Sequence, residues 1–448
     1  MDIIRNPDGS LSFRTTVEVT VPAGTSMLEA EELLMKEING AGASLTGKIL
    51  ESRDGGEPFV REGRRFTAKS KKEVRHVETP FGCVVVRRHA FQSSLGGVCH
   101  YPMDEAGCLT GAATPKFARM ISRKMVELPA AEVVRDLREN HTRAVTVDFV
   151  QRLTGLVGVL AQSVIPAAGA GTLPAPEEVA SVSIGVDGAC VHMSMPARPQ
   201  AADRTAADGR KGRTREWRVG MVGAITLYDK TGERLGTIYA ATAPPEDKSQ
   251  GKAAFWSIME KEAAAVQARY PAAIYTGLSD GASDLLPWLR ERTTRQVLDF
   301  YHACGYLHAA VGAFTHEAPA GEDPGWWSHE ACRHLKEDEG TAAALLTEME
   351  RRLASTRRLG AADRTALEKA VTYFGNNVER MDYAACAAAG LPIGSGVTEA
   401  GCKLLVKKRL CGPGMTWGFT MAGHILRLRA LAHSAGGRWA SPWKAILT

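Results

Sequence analysis

The sequence predicts an α+β protein built from several domains, and three observations lead to this fold class. The chain has 448 residues, which is enough for two or three domains with separate cores. A segment at 163–180, rich in Ala, Gly and Pro, predicts a linker. After this linker, apolar runs of strand length alternate with helical patterns, which is typical of a mixed sheet covered by helices.

Composition and charge are those of a globular protein. Hydrophobic residues make up 44% of the chain and charged residues 23%, and the net charge of +5 suits a nucleic-acid partner without requiring one. The sequence contains no signal pattern and no apolar run of membrane-spanning length. Nine cysteines are scattered without a CxxC pair, so we expect free thiols and a reduced, cytoplasmic protein with no membrane partner.

Residues 1–110 predict a small α+β region with a DNA-binding role. Helical periodicity covers 27–38, and valines around a turn predict a hairpin at 77–90. The stretch at 92–108, with Ser, Gly and Pro, is expected to be irregular.

Residues 111–162 predict three short helices with helix-turn-helix spacing. Pro115 and Pro129 stand where first-turn prolines belong, and apolar residues recur at helical intervals. Arg138 and Arg143 lie among several arginines and are candidate DNA contacts. The alternative is a helical bundle with solvated arginines.

Residues 181–302 predict the first part of a catalytic core. The expected strands are 181–187, 219–228, 235–241, 273–278 and 297–300, with helices at 254–267 and 284–292. Three strands, a helix, a strand, a helix and a strand match the mixed sheet of the ribonuclease-H-like fold, which begins with an antiparallel meander. Residues 303–390 then predict a helical insertion, and 391–448 predict the second part of the core with terminal helices.

Three acidic residues are expected to meet in this core. Asp187 and Asp280 each precede a glycine at the end of a predicted strand, the first and the fourth, which are neighbours in such a sheet. Glu399 would come from the late helix. Carboxylate oxygens are the ligands that Mg²⁺ or Mn²⁺ prefers, and two such ions roughly 4 Å apart suit phosphodiester chemistry. The alternative for each Asp-Gly pair is a plain turn.

Asp299 and His302 follow the fifth predicted strand. They are three residues apart, so both side chains can point to one side of a first helical turn. His302 could orient a phosphate, move a proton or support a metal ligand. The alternative is a capping Asp beside a buried His.

Basic residues near these acids are candidate DNA contacts. Glu399, Lys403 and Lys407 recur every four residues, so one helix face would carry an acid followed by cations; surface ion pairs are the alternative. A predicted loop at 197–217 could clamp DNA, and an ordinary solvated loop is the alternative. The remaining candidate contacts are Lys408 and Arg409 on the late helix, and Lys211, Arg213, Arg215 and Arg218 at the loop.

At these motifs the sequence resembles bacterial insertion-sequence DDE transposases, in particular the Kra-type group related to Mutator-like elements. The resemblance covers roughly residues 180–430 and rests on Ile184-Gly185-Val186-Asp187-Gly188, Trp217-Arg218-Val219-Gly220, Leu278-Ser279-Asp280-Gly281, Asp299-Phe300-Tyr301-His302, Ile393-Gly394-Ser395-Gly396-Val397-Thr398-Glu399, Cys402-Lys403 and Gly414-Met415-Thr416-Trp417. It implies that Asp187, Asp280 and Glu399 are the catalytic triad, with Asp299 and His302 as a short accompanying motif.

The resemblance also implies partners and a location. A protein of this kind would bind terminal inverted repeats and target DNA as a homodimer or larger oligomer, associated with the bacterial nucleoid. One departure concerns a zinc knuckle that relatives carry near residue 90. Only Cys99 and His100 look like ligands there, and tetrahedral zinc takes four, so the expectation is no structural zinc or at best a distorted site. A domesticated DNA-binding protein and a ribonuclease-H-like nuclease without strand transfer are the alternative functions.

Overall fold

The computed structural model describes residues 2–162, 173–195, 214–281, 285–315, 323–355 and 359–447. The fold is α+β, as predicted. The chain divides into two compact units, one formed by 1–164 with 440–448 and the other by 165–439. Within the described ranges, every helix is too short or too polar to cross a membrane.

The first unit combines short strands with helices. Its strands are β1 (Asp2–Arg5), β2 (Leu11–Arg14), β3 (Phe59–Arg61), β4 (Arg64–Ala68), β5 (Glu73–Glu78), β6 (Cys83–Arg88), β7 (Phe91–Ser93) and β8 (Gly96–His100). Its helices are α1 (Met27–Glu51), α2 (Pro102–Ala106), α3 (Pro115–Glu127), α4 (Ala130–His141) and α5 (Val147–Leu160). The hairpin at 77–90 and the three helices are therefore confirmed, whereas 92–108 is regular and not irregular as expected.

Helix α1 is twice as long as its periodic segment at 27–38 suggests. Glycines past residue 39 weaken a helix in isolation, but here they allow close packing. A Cβ on Gly42 would meet the Phe81 ring at 2.7 Å, and one on Gly47 would contact Val84 and Val86. Tertiary packing against the β5–β6 hairpin thus extends the helix beyond its local signal.

Arg143 connects the three helices to the hairpin of the same unit. Its side chain is buried, pairs with the Glu78 carboxylate and donates to the Thr79 carbonyl at 3.1 Å. This corrects the expectation that Arg143 contacts DNA, because its guanidinium is already used inside the unit. Arg138 is exposed, as a DNA contact would require.

The second unit contains a five-stranded sheet and most of the helices. Its strands are β9 (Ser181–Ser194), β10 (Arg215–Tyr228), β11 (Arg234–Thr242), β12 (Ile274–Ser279) and β13 (Arg295–Leu298). Its helices are α6 (Ala253–Arg269), α7 (Leu286–Arg292), α8 (Phe300–Ala310), α9 (Trp326–Glu337), α10 (Thr341–Ala354), α11 (Ala361–Asn377), α12 (Tyr383–Ala388), α13 (Gly396–Gly401), α14 (Lys408–Leu410) and α15 (Phe419–His433). A π-helical segment, Cys402–Lys407, joins α13 to α14, and the last helix, α16 (Ser441–Leu447), belongs to the first unit.

The sheet has the order β11-β10-β9-β12-β13. Strands β9, β10 and β11 are antiparallel, with the predicted turn at Asp229 between the last two, whereas β12 runs parallel to both β9 and β13. The two strands that lead to Asp187 and Asp280 are therefore neighbours, as expected. Five helices, α8 to α12, follow β13 and share with β12 and β13 a core that includes Trp327 and Phe374.

Strand β9 does not end at Asp187, which corrects the prediction that the strand stops there. It continues for seven residues because β10 pairs with it as far as Ser194. The parallel neighbour β12 is shorter, and its last pair joins Leu278 to Gly185. Asp187 thus lies just beyond the carboxyl end of the parallel pair, although its own strand continues.

The last three residues of the predicted loop at 197–217 belong to a strand instead. Strand β10 begins at Arg215, so Arg215 and Arg218 belong to the sheet. Lys211 and Arg213 lie outside the described residues. A long hairpin between β9 and β10 has replaced part of the loop because Val191 and Met193 alternate inward along the extended strand.

Candidate active site

One cavity of about 210 Å³ in the second unit brings the predicted acids together. Its lining includes three carboxylates, one histidine and two lysines: Asp187, Asp280, Glu399, His302, Lys403 and Lys407. Asp187 comes from β9, Asp280 follows β12, and Glu399 lies on α13. A sheet strand and a packed helix therefore hold Asp187 and Glu399, and the turn after β12 holds Asp280.

Asp187 is half-buried and already has two donors. Its Oδ1 accepts a hydrogen bond from the Gly188 N–H at 2.6 Å, and the Cys402 thiol is hydrogen-bonded to the same carboxylate. Burial, followed by the charge of Asp187, raises the pKa of Cys402, so this sulfur remains a thiol. Gly188 is in extended backbone, not the sharp turn expected. A Cβ there would meet Val219 Cγ1 at 2.6 Å, so lack of room explains the glycine.

Asp280 is exposed and stands on a real turn. Gly281 has φ of +105°, a conformation that glycine adopts without strain. The Tyr373 hydroxyl donates to the Asp280 carbonyl at 3.0 Å, and burial raises the pKa of that tyrosine. Arg380 donates to Ser279 Oγ at 3.2 Å. Hydrogen bonds from the helical region thus fix the position of this turn.

Glu399 is half-buried on α13, which lies directly on the sheet. A Cβ on Gly185 would collide with the Thr398 side chain, whose own Cβ would be only 3.3 Å away. A Cβ on Gly401 would meet the Tyr239 ring at 3.0 Å. Because Gly185 and Asp187 point to the same face of β9, this close packing brings Glu399 to the face that carries Asp187.

Asp299 is 1% exposed and connects two segments. Its Oδ1 caps α8 by accepting from the His302 N–H at 2.7 Å, and its Oδ2 accepts from the N–H and Oγ of Ser395. Burial alone would raise the pKa of Asp299, but these hydrogen bonds outweigh it and hold the pKa below its ordinary value. The carboxylate is therefore ionised and occupied on both oxygens.

His302 is 46% exposed, so the alternative of a buried histidine is wrong. Its Nδ1 lies 3.2 Å from Asp299 Oδ1. An ionised acceptor there favours the tautomer with the proton on Nδ1. Nε2 is then the ring nitrogen that can contact a ligand. Ligand atoms of Asp299, His302 and Glu399 lie within 4.8 Å of one another, so this group could hold a metal ion.

The basic residues separate into exposed and buried sets. Lys403 and Lys407 are exposed and line the cavity even though the helix has π geometry there. Lys408 and Arg215 are also exposed.

Two other arginines correct the expectation of DNA contacts. Arg409 is buried with its guanidinium 4.9 Å from the Trp417 ring centre. Arg218 is buried and donates to the Pro245 carbonyl at 2.8 Å. Neither guanidinium faces solvent.

Ser395 and Cys402 belong to the sequence motifs, but their contacts with Asp299 and Asp187 were not predicted. Tyr373 and Arg380 were not predicted at all. They carry no local signal, since their partners, Asp280 and Ser279, lie about 100 residues earlier in the chain. Neither a protein-family model nor a curated protein matches this chain.

Proposed function

We propose that this protein is a DDE-type transposase of the Kra-type insertion-sequence group, which binds transposon ends, cleaves DNA strands and joins them to target DNA. The observation that carries the proposal is the shared cavity of Asp187, Asp280 and Glu399. Three carboxylates from separate segments of the chain, with cations alongside, suit a reaction on a polyanion. The family assignment rests on the sequence motifs. The proposal also includes that the protein binds DNA as a homodimer or larger oligomer.

The sheet supports a ribonuclease-H-like core. Its order, β11-β10-β9-β12-β13, has an antiparallel meander followed by two parallel strands. In such a core the first and fourth strands lie side by side, and their carboxyl ends carry the first two acids. The helices between β13 and α13 would then be an insertion into the core.

The donor set fits a hard divalent cation. The cavity offers carboxylate oxygens from Asp187, Asp280 and Glu399, which suit Mg²⁺ or Mn²⁺ better than soft metals. Two bound ions would stabilise charge on the attacking and leaving oxygens of a phosphodiester. Asp299 is less suited as a direct ligand because both of its oxygens already accept hydrogen bonds.

The remaining side chains have separate tasks. Asp299 orients His302, whose Nε2 can donate a hydrogen bond to phosphate when protonated or accept a proton from a nucleophile when neutral. Lys403 and Lys407 present ammonium groups along the cavity, where they would bind non-bridging phosphate oxygens and set the direction of the strand.

The test uses the purified chain and DNA from both ends of the element that encodes it, with Mg²⁺ or Mn²⁺. Asp187→Asn is expected to bind this DNA as the wild type does and to lose cleavage. Asp338→Asn, an exposed aspartate on the helical region, is the matched control and should cut normally. Cleavage by Asp187→Asn at the wild-type rate would refute the assignment.

Two further readouts distinguish the alternative functions. Pre-cut ends bypass the hydrolytic step, so joining to a target plasmid reports strand transfer alone. Cleavage without joining would indicate a nuclease, and specific binding without either reaction would indicate a domesticated DNA-binding protein.

A further inference from the structure

A groove of about 940 Å³ lies beside the cavity of the candidate active site in the second unit. We refer to it as the side groove; it is lined by residues of α7, α8 and α11 and by the turn after β12. Gly281 lines the side groove and Asp280 lines the cavity, so two consecutive residues of this turn border both. A ligand in the side groove would therefore lie next to a carboxylate of the candidate active site.

Two stacked tyrosines line the side groove. The ring centres of Tyr306 on α8 and Tyr373 on α11 are 4.0 Å apart, and their planes differ by 18°. Both side chains are half-buried, and the Tyr373 hydroxyl is fixed by its hydrogen bond to the Asp280 carbonyl. A nucleobase can extend such a stack, and because every base has a π-face, this contact would accept any base.

Arg380 brings a half-buried positive charge to the side groove. Its guanidinium donates to Ser279 Oγ at 3.2 Å and to Asn377 Oδ1, which are both neutral acceptors. Burial lowers the pKa of Arg380, and no carboxylate in the described part of the chain pairs with it to offset this effect. Lys369 and Glu368 also line the groove, but both are exposed and opposite in charge, so Arg380 carries the net charge of the groove. The side groove is therefore suited to an anion, and the guanidinium group is well matched to phosphate.

We propose that the side groove binds an unpaired stretch of the DNA strand next to the bond that is cut. This inference rests on the proposed function, because it takes the strand in the cavity to be DNA. Arg380 would pair with one phosphate, and a base of the same stretch would extend the stack of Tyr306 and Tyr373. In a duplex the bases are stacked on each other, so only an unpaired strand offers a base to this pair. The volume lies near the top of the range of about 300–1,000 Å³ for ligand pockets, which leaves room for more than one nucleotide.

The first experiment measures, by fluorescence anisotropy, how the full chain binds a fluorescein-labelled single strand of the element end. Tyr306 is the best position to change, because Tyr373 and Arg380 also fix the turn at Asp280. Tyr306→Ala should lower the affinity about 5- to 150-fold, and Tyr306→Phe, which keeps the ring, should bind like the wild type. Arg380→Gln should lower the affinity and reduce the slope of log affinity against log salt by about 0.7, whereas Tyr306→Ala should leave this slope unchanged.

The matched control is Arg351→Gln, which changes an exposed arginine of α10 outside the side groove and should leave both affinity and slope unchanged. A free deoxynucleoside monophosphate should compete weakly with the labelled strand, since it offers only one base and one phosphate. Wild-type affinity in Tyr306→Ala, or competition by the mononucleotide as strong as that by the unlabelled strand, would overturn the proposal.

The second experiment locates the strand on the wild-type chain and does not require cleavage. 5-Iodouracil is placed at successive positions around the end of the element, and irradiation should cross-link a position beside that end to Tyr306 or Tyr373. Absence of a cross-link at both tyrosines would overturn the proposal. A chain that forms this cross-link but never cuts DNA counts against the proposed function alone, whereas a chain that cuts without forming it counts against the side groove alone.

Discussion

Asp299→Asn is expected to destabilise the second unit. The carboxylate accepts from the backbone N–H groups of His302 and Ser395 on opposite oxygens. Asparagine has one oxygen, so one of these donors must face an NH₂ group and lose its partner. An unsatisfied buried donor costs about 1–3 kcal/mol, and replacing the remaining charge-assisted bonds by neutral ones costs about 1 kcal/mol more. The expected loss is about 2–4 kcal/mol in unfolding free energy.

Urea unfolding, followed by circular dichroism, measures this loss, and hydrogen exchange of the His302 and Ser395 amides locates it. The matched control is Asp382→Asn, an exposed aspartate at the N-cap of α12 whose side chain makes no capping hydrogen bond. That change should alter stability by less than about 0.5 kcal/mol. Equal stability of the two variants, or unchanged exchange at both amides, would refute the reasoning.

Three further predictions follow from the same site. The pKa of Asp299 is lowered, so the stabilisation from its carboxylate is fully present above the unfolded pKa of about 3.9 and is lost as the pH falls through the folded pKa. The difference in unfolding free energy between wild type and Asp299→Asn should therefore shrink below about pH 4. A difference that stays constant with pH would contradict this. Gly185→Ala should lower the unfolding free energy by about 1–3 kcal/mol and impair cleavage, because the new Cβ collides with Thr398 and displaces helix α13. Thr398→Ala should partly restore both. Failure of this second change to restore them would count against displacement of the helix. Changing Lys403 and Lys407 to Gln should weaken DNA binding for all sequences alike. It should also reduce the slope of log affinity against log salt by about 1 per lost phosphate contact. An unchanged slope would exclude both lysines from the interface.

Periodicity was sufficient to predict most of the secondary structure of the second unit. The apolar runs of β9 to β13 and the turn at Asp229 are local signals, and the rule that neighbouring parallel strands end together predicts that Asp187 and Asp280 meet. The length of β9 was not predictable locally, because Gly188 is typical of a turn and only the pairing with β10 keeps it extended.

The prediction of DNA contacts from the charge pattern was wrong for the arginines that are buried. Arg143, Arg218 and Arg409 stand in basic stretches, where solvent exposure is the ordinary expectation. Each guanidinium instead contacts another part of its own unit; the partner of Arg143, for example, is Glu78, which precedes it by 65 residues. A count of cations therefore overestimates the exposed basic surface, to which Lys403 and Lys407 do belong.

The helical region between β13 and α13 makes the role of Asp299 understandable. Its helices separate His302 from Glu399 by almost 100 residues, yet both must reach one cavity. Asp299 bonds the start of α8 to Ser395, the residue before α13, at the two ends of this region. A neutral side chain of similar size could not accept hydrogen bonds on both sides. The relative position of His302 and Glu399 therefore depends on one ionised carboxylate as well as on the packing of the intervening helices.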